Sequence, residues 1–388
     1  MRLLSMSVRT AGRLFLVPSA IVALHFPETS AETAPRDLLD TPAPAQIQPT
    51  RHSLTEIASV GERFVAVGAN GLVLLSDDEG QIWRQAQVDV SVHLTALAFD
   101  PSGVLGIAVG HDGVILRSLD RGETWQRAAD GRSLFKAVIN EATERRDAAQ
   151  LALDGATDET RRDLEFALED EQYRLETAET SLEYGPAWPL LTVLVLDERT
   201  AWAAGAYNTL FETRDGGATW AYIGDRLDNF DALHLNALIL TSEGTLLIGG
   251  EGGMIHRSAD QGERFERYDT DTAHSVFGIV ETVDEDGAVL IGHGFGDSFQ
   301  ISSDDGRSWQ SGRLSETMIL LGSIELTRGR VGLLGNEGRM IEIGRREADI
   351  AILSESQPLG NRAFLSGAMQ TPDGLRFISE EGVSEVVQ

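Results

Sequence analysis

An eight-residue phrase of the form Ser/Thr-x-Asp-x-Gly-x-Thr-Trp is written five times along this chain, and no other feature narrows its fold as much. The copies begin at Ser76, Ser118, Thr213, Ser258 and Ser302. Their aspartates are Asp78, Asp120, Asp215, Asp260 and Asp304, and their glycines are Gly80, Gly122, Gly217, Gly262 and Gly306. The closing aromatics are Trp83, Trp125, Trp220, Phe265 and Trp309. Successive aspartates are 42, 95, 45 and 44 residues apart, so one interval carries an excess of about fifty residues. Each copy follows an apolar run such as Val114-Ile115-Leu116 and leads into another strand at its aromatic residue, which makes the phrase a hairpin loop between antiparallel strands.

The chemistry of the phrase fits that placement. Ser/Thr and Asp oxygens accept hydrogen bonds from turn N–H groups, glycine takes a positive φ, and a large aromatic returns into the stack of sheets. A carboxylate held by backbone donors is not free for catalysis, and identical loops cannot all be active sites. The aspartates, glycines and aromatics of all five copies are therefore read as structural. The phrase is the Asp-box, or BNR repeat, found in several β-propeller families. Its spacing matches a propeller blade of about 40–50 residues.

A second repeat lies upstream of each box, where a β-rich run ends at a turn. Seven such runs occur, at 64–68, 106–110, 201–205, 246–250, 288–292, 331–335 and 375–379. In the sixth unit the box has decayed to Gly344-Arg345-Arg346-Glu347-Ala348, and the seventh ends at Gln388 without one. The expected fold is an all-β, seven-bladed propeller over residues 43–388, interrupted by an inserted helical hairpin. An open last blade would expose a strand edge. Counting back from Leu54 by the distance that separates Trp83 from Leu94 nominates Ala43 to Ile47 as the closing strand beside the C-terminal three.

Residues 1–31 have the grammar of a signal peptide: Arg2, Arg9 and Arg13, an apolar core from Leu14 to Leu24, and small residues at Thr29-Ser30-Ala31. Cleavage there leaves Glu32 as the mature N-terminus, a linker over 32–42 and no later membrane span. The expected location is the periplasm, with an uncleaved inner-membrane anchor as the alternative. Cysteine is absent, which excludes disulfides and thiolate chemistry. The net charge of −29 disfavours nucleic acid and anionic lipid as partners.

The long interval is filled by 135–183, where strand-like runs give way to helical spacing. Phe135, Val138, Ala142, Ala149 and Leu153 form one stripe, Asp154-Gly155-Ala156 breaks it, and Leu164, Leu168, Leu175, Ala178 and Leu182 form a second. This predicts an antiparallel helical hairpin projecting from the rim. From Glu141 to Glu183 it carries fourteen acidic residues and five arginines. It reads as a docking arm for another protein, against the simpler reading of a solvated insertion.

On these repeats the chain resembles the photosystem II stability/assembly factor family, in its non-photosynthetic bacterial branch. The match is fullest at Gly110-His111-Asp112-Gly113-Val114-Ile115-Leu116-Arg117-Ser118-Leu119-Asp120-Arg121-Gly122-Glu123-Thr124-Trp125. The resemblance implies an exported, non-enzymatic, seven-bladed scaffold that binds subunits of a membrane-protein complex and needs no cofactor. Relatives outside photosynthesis sometimes accompany exporters of the resistance-nodulation-division type. This chain departs from the photosynthetic members in being acidic, without a dense arginine cluster, and in carrying the hairpin.

Two other functions have residues to test. A sialidase-like glycoside hydrolase would need three inward arginines and a Tyr–Glu pair. The only tyrosines are Tyr173, Tyr184, Tyr207, Tyr222 and Tyr268, and the first two fall in the insertion. A small-molecule or metal-binding propeller would gather His111, Glu251, His293 and Asn336, each placed just after a blade glycine, at the mouth of the channel. Asp284-Glu285-Asp286-Gly287 lacks a full calcium loop and reads as a hairpin turn.

Overall fold

The computed structural model describes residues 37–388 apart from 185–187, 328, 347–348, 361 and 388. The leader and Glu32 lie outside the described residues. The chain forms consecutive antiparallel sheets whose first strands lie innermost. These are Leu54–Val60, Leu94–Phe99, Leu190–Val195, Leu235–Leu240, Val276–Asp284, the second half of Gln310–Thr327, and Leu365–Thr371. Each adjoins the next, and the last adjoins the first.

A single geometric device repeats on these inner strands. Leu54 pairs with Gly68, Leu94 with Gly110, Leu190 with Gly205, Leu235 with Gly250, Val276 with Gly294, Leu320 with Gly335 and Leu365 with Ser379. One residue later every ladder slips by a bulge. The bulge bends the strand and re-aims the extra side chain. Thr55 Oγ1 thereby donates to Leu94 O at 2.7 Å, Thr95 Oγ1 to Leu190 O at 2.6 Å and Asn236 Nδ2 to Val276 O at 3.2 Å. Ser366 Oγ donates to Leu54 O at 2.9 Å and makes the same contact between the last sheet and the first.

Second strands such as Arg63–Gly68 and Leu246–Gly250 are almost wholly buried. A sheet covered on both faces needs continuous rather than alternating apolar residues. Glycine ends these strands because of a close approach: a Cβ on Gly68 would stand 2.1 Å from Ser53 O, and one on Gly110 2.2 Å from His93 O. The core lies between sheets. Val65, Val67 and Leu75 of one, for example, pack with Leu94, Leu116 and Trp125 of the next.

The predicted closing strand is a correction. Among the described residues the C-terminal sheet has three strands, Leu365–Thr371, Gly374–Ser379 and Gly382–Val383. The chain end itself runs on along the outer side, with Val387 N donating to Leu375 O at 2.7 Å. Ala43 to Ile47 instead follow the outer side of the first sheet: Ala43 N donates to Val88 O at 2.9 Å and Gln46 N to Gln85 Oε1 at 2.9 Å. Pro42 and Pro44 have no N–H to give a ladder, so this segment is poorly suited to be a strand.

The insertion forms two helices, α1 (Gly131–Asp154) and α2 (Arg161–Tyr184). The first begins four residues earlier than the stripe predicts. Asp130 caps it by accepting from Ser133 N at 3.3 Å, while Ser133 Oγ accepts from Asp130 N at 3.1 Å. Both predicted stripes are buried or half-buried along the seam. The base of the hairpin does not project freely. Leu134, Val138 and Ala178 join Ile107, Ile115, Phe211 and Trp220 in one core cluster, and Arg145 pairs with Asp225. Burial of Leu134 and Val138 contributes about 2 kcal/mol each to this docking.

Candidate functional site

The two ends of the ring are built differently. At one end lie the five hairpins. Ser76 Oγ accepts from Gly80 N at 2.9 Å and donates to Asp78 Oδ1 at 2.8 Å, Asp78 Oδ1 accepts from Ile82 N at 2.8 Å, and Trp83 Nε1 donates to Gly80 O at 2.9 Å. The same hydroxyl-to-glycine and carboxylate-to-backbone bonds recur around Asp120, Asp215, Asp260 and Asp304. Gly80, Gly122, Gly217, Gly262 and Gly306 all sit at φ between 78 and 84°. The Thr219 hydroxyl and then its backbone N–H hold the Asp215 carboxyl down at about 2. The Ile82 N–H likewise lowers Asp78.

The indole bond is the variable part. Trp125 and Trp309 repeat it, while Trp220 Nε1 is buried without a partner among the described residues. Phe265 has no N–H to give, and the Arg226 guanidinium supplies the bond to Gly262 O at 2.8 Å.

At the other end lie the turns joining second to third strands. In five of them the two central residues both take positive φ: Asn70–Gly71, Asp112–Gly113, Tyr207–Asn208, Gly252–Gly253 and Glu337–Gly338. That is the type I′ hairpin, which favours Asn, Asp and Gly. Tyr207, at φ 56°, is a bulky exception in a region costing about 1 kcal/mol for a residue with a Cβ.

This tyrosine is half-exposed and continues a chain of rings. Phe135 of α1 lies 4.5 Å from Trp188, Trp188 5.9 Å from Tyr207, and Tyr207 5.0 Å from His234 in an edge-on arrangement. Phe230 is 88% exposed in the loop beside them. That loop is tied down: Asn229 Nδ2 donates to Asn208 Oδ1 and to Leu233 O, both at 2.9 Å, and Asn208 Nδ2 donates to Gly224 O at 2.9 Å. Further round, His93 meets His111 at 5.3 Å and His274 meets Phe295 at 6.3 Å. Burial and the neighbouring His111 push His93 below its usual range.

The predicted channel-mouth residues separate. His111 is exposed against His93. Glu251 Oε2 accepts from His234 N at 2.8 Å and Asn336 Oδ1 from Ile319 N at 2.9 Å, so both cap the start of an inner strand. Glu380 does the same for Phe364 N at 2.6 Å. His293 is a correction. The register places Gly294, not Gly292, opposite Val276, so His293 stays inside the sheet, 3% exposed, with Nδ1 3.0 Å from Leu320 O. Burial pushes it down to about 4. Among the described residues no three His, Asp or Glu side chains are arranged to hold a metal ion, and the inner strands carry no arginine.

Sequence reasoning passed over Trp188, Tyr207, Phe230 and His234. One signal was present: Tyr207-Asn208 stands in the turn slot filled elsewhere by Asn70-Gly71 and Asp112-Gly113.

A scan against known family models and a search of curated proteins find no match. Solved structures do match. One is described as YCF48 bound to D1 peptide, at 13% identity and TM-score 0.55, over 86% of this chain and 93% of that one. Another is YCF48 from Cyanidioschyzon merolae, at 14% identity and TM-score 0.54, over 88% and 96%. A third is the Cps50 (Swd1) β-propeller domain of Myceliophteria thermophila, at 10% identity and TM-score 0.56, over 86% and 96%. The fold is that of a β-propeller. At these identities the likeness concerns fold alone.

Proposed function

We propose that this protein is a seven-bladed Asp-box propeller that does no chemistry of its own and serves as an exported assembly or scaffold factor. Its blades follow the inner strands in order, with Ser366 and Leu54 closing the ring. The five boxes hold one end together, and the opposite face binds an extended segment of a partner protein. The observation that carries this reading is the ring chain Trp188–Tyr207–His234, anchored on the buried Phe135 of α1 and held beside turns locked by Asn208 and Asn229. Aromatic side chains held rigid at a surface are the residues that dominate protein-binding hot spots. The YCF48 bound to a D1 peptide has the same fold and supports a protein ligand here. A periplasmic membrane-protein complex is the proposed client, a resistance-nodulation-division exporter being one candidate.

Lys136, the chain's single lysine, is exposed next to Phe135 and offers a direct test. Amine-directed cross-linking of the tagged protein in intact envelopes should join a membrane-complex subunit to Lys136. A Lys136→Arg variant should lose that product, and Tyr207→Gly should weaken it. Cross-links insensitive to Tyr207→Gly would move the site elsewhere. The hairpin is tested by excising its outer part, 147–170, because cutting from Glu141 would remove Ala178 from the core. Loss of the cross-link on excision would make the hairpin part of the docking surface.

A further inference from the structure

We infer that the partner segment presents arginine or lysine side chains to this face, received by the Tyr207 and Trp188 rings and by the carboxylates of Asp228 and Asp231. This rests on the reading of the face as a protein-binding surface and adds the chemistry of what it binds.

The charges around the rings are unevenly satisfied. Arg226 is engaged with Gly262 O, Arg145 with Asp225, and Arg267 with Asp269 and with the main-chain oxygen of Asp228. Asp228 and Asp231 flank Phe230, both are exposed, and neither carboxylate has an ion-pair partner among the described residues. Glu251, one turn further on, adds a third acid beside His234. Asp228 and Asp231 stand on the loop that Asn229 ties to Asn208, the residue after Tyr207, so the rings and the carboxylates belong to one patch that attracts a cation, and guanidinium suits it best because it stacks and is weakly hydrated. An acidic or purely apolar segment would gain only the rings and leave the carboxylates to be desolvated without compensation. The net charge of −29 draws a basic segment in from a distance, but it gives no position. Position comes from Tyr207, held in a strained turn slot that Gly would occupy freely and Asn or Asp with less strain.

The test is calorimetric titration of the mature full-length protein with short synthetic peptides alternating Arg and Ala, against Gln/Ala and Glu/Ala controls, at low and high salt. The Arg peptide should bind and the Gln peptide should bind about tenfold more weakly. Tyr207→Gly should cost about tenfold, since a desolvated cation–π contact is worth about 1–2 kcal/mol and 1.4 kcal/mol is about tenfold. Asp228→Asn with Asp231→Asn should cost several-fold. Glu62→Gln with Glu243→Gln makes the same charge change on exposed turns at the box end and should leave affinity within about twofold. Equal binding of the Gln peptide would overturn the inference. So would equal losses from the two double variants, which would reduce the effect to diffuse charge, or an unchanged affinity in Tyr207→Gly. A Tyr207-dependent cross-link in envelopes together with indifference to Arg peptides would sink the cationic ligand while leaving the docking face in place.

Discussion

The two ends of this ring teach opposite lessons about repetition. At the box end, five loops carry the same residues and make the same bonds, and each repeated carboxylate is occupied by its own loop. At the turn end the backbone repeats but the side chains do not: Asn70, Asp112, Tyr207, Gly252 and Glu337 fill one geometric slot. Repetition marks what holds the fold together in the blades that carry it. Departure from it marks where a surface has been specialised, since a residue that worsens its own turn is kept for another reason.

This contrast can be tested from both sides. The largest effect belongs to the box end. Trp125 is 5% exposed, donates to Gly122 O at 2.8 Å and packs edge-on to Phe99, so Trp125→Ala should destabilise by about 3–4 kcal/mol in urea unfolding. Below the new midpoint it should leave ligand affinity at the turn end unchanged.

Acid should act on the interior next. His256 and His293 are buried and burial holds both at about 4, below the usual 6.5. Folded values below unfolded ones mean that their contribution is complete above pH 6.5 and is lost as pH falls toward 4. The urea midpoint should therefore fall over that window. His293→Asn should flatten the fall, because the unfolded chain then has one fewer proton to take up. The box carboxylates, Asp215 foremost, extend the loss from about 4 down to about 2.

At the turn end, Tyr207→Gly should raise stability by up to about 1 kcal/mol, because glycine relieves the positive φ, while partner binding falls. A loss of both would mean that the ring is there for packing. Glu56, on the first inner strand, accepts from Ile57 N, and burial pushes it up to about 7 from 4.5. Its folded value lies above the unfolded one, so the ionised carboxyl is a burden fully present above pH 7 and absent below 4.5. Glu56→Gln should stabilise by about 1 kcal/mol at pH 8 and not at pH 4. The smallest effect is that of Asp228→Asn with Asp231→Asn, within about 0.5 kcal/mol on thermal unfolding, since both are exposed and unpaired.

What could be read from the residues follows the range of the forces concerned. A box closes within eight residues, from Ser76 to Trp83, so its hydroxyl, carboxylate, glycine and indole announce themselves locally. Helical stripes are equally local, and the seam of α1 and α2 was legible for that reason. The start of α1 at Gly131 was missed because its capping box, Asp130 and Ser133, precedes the first stripe residue. His293 was misplaced because two glycines, Gly292 and Gly294, compete for one role and pairing with Val276 chooses between them.

The linear order of residues was enough to set the hairpins, the blade period, the inserted helices and the acidic character, since each arises from neighbours a few positions apart. Folding in three dimensions was needed to place the bulge on every inner strand, to join Ser366 to Leu54, to send Ala43 to Ile47 along the first sheet and to dock the hairpin base on Phe211. The Thr95 contact spans 95 residues and the Ser366 contact 312. Over such separations the partner is selected by which surfaces the ring brings together, and Trp188, Tyr207 and His234 become one site only once consecutive blades stand side by side.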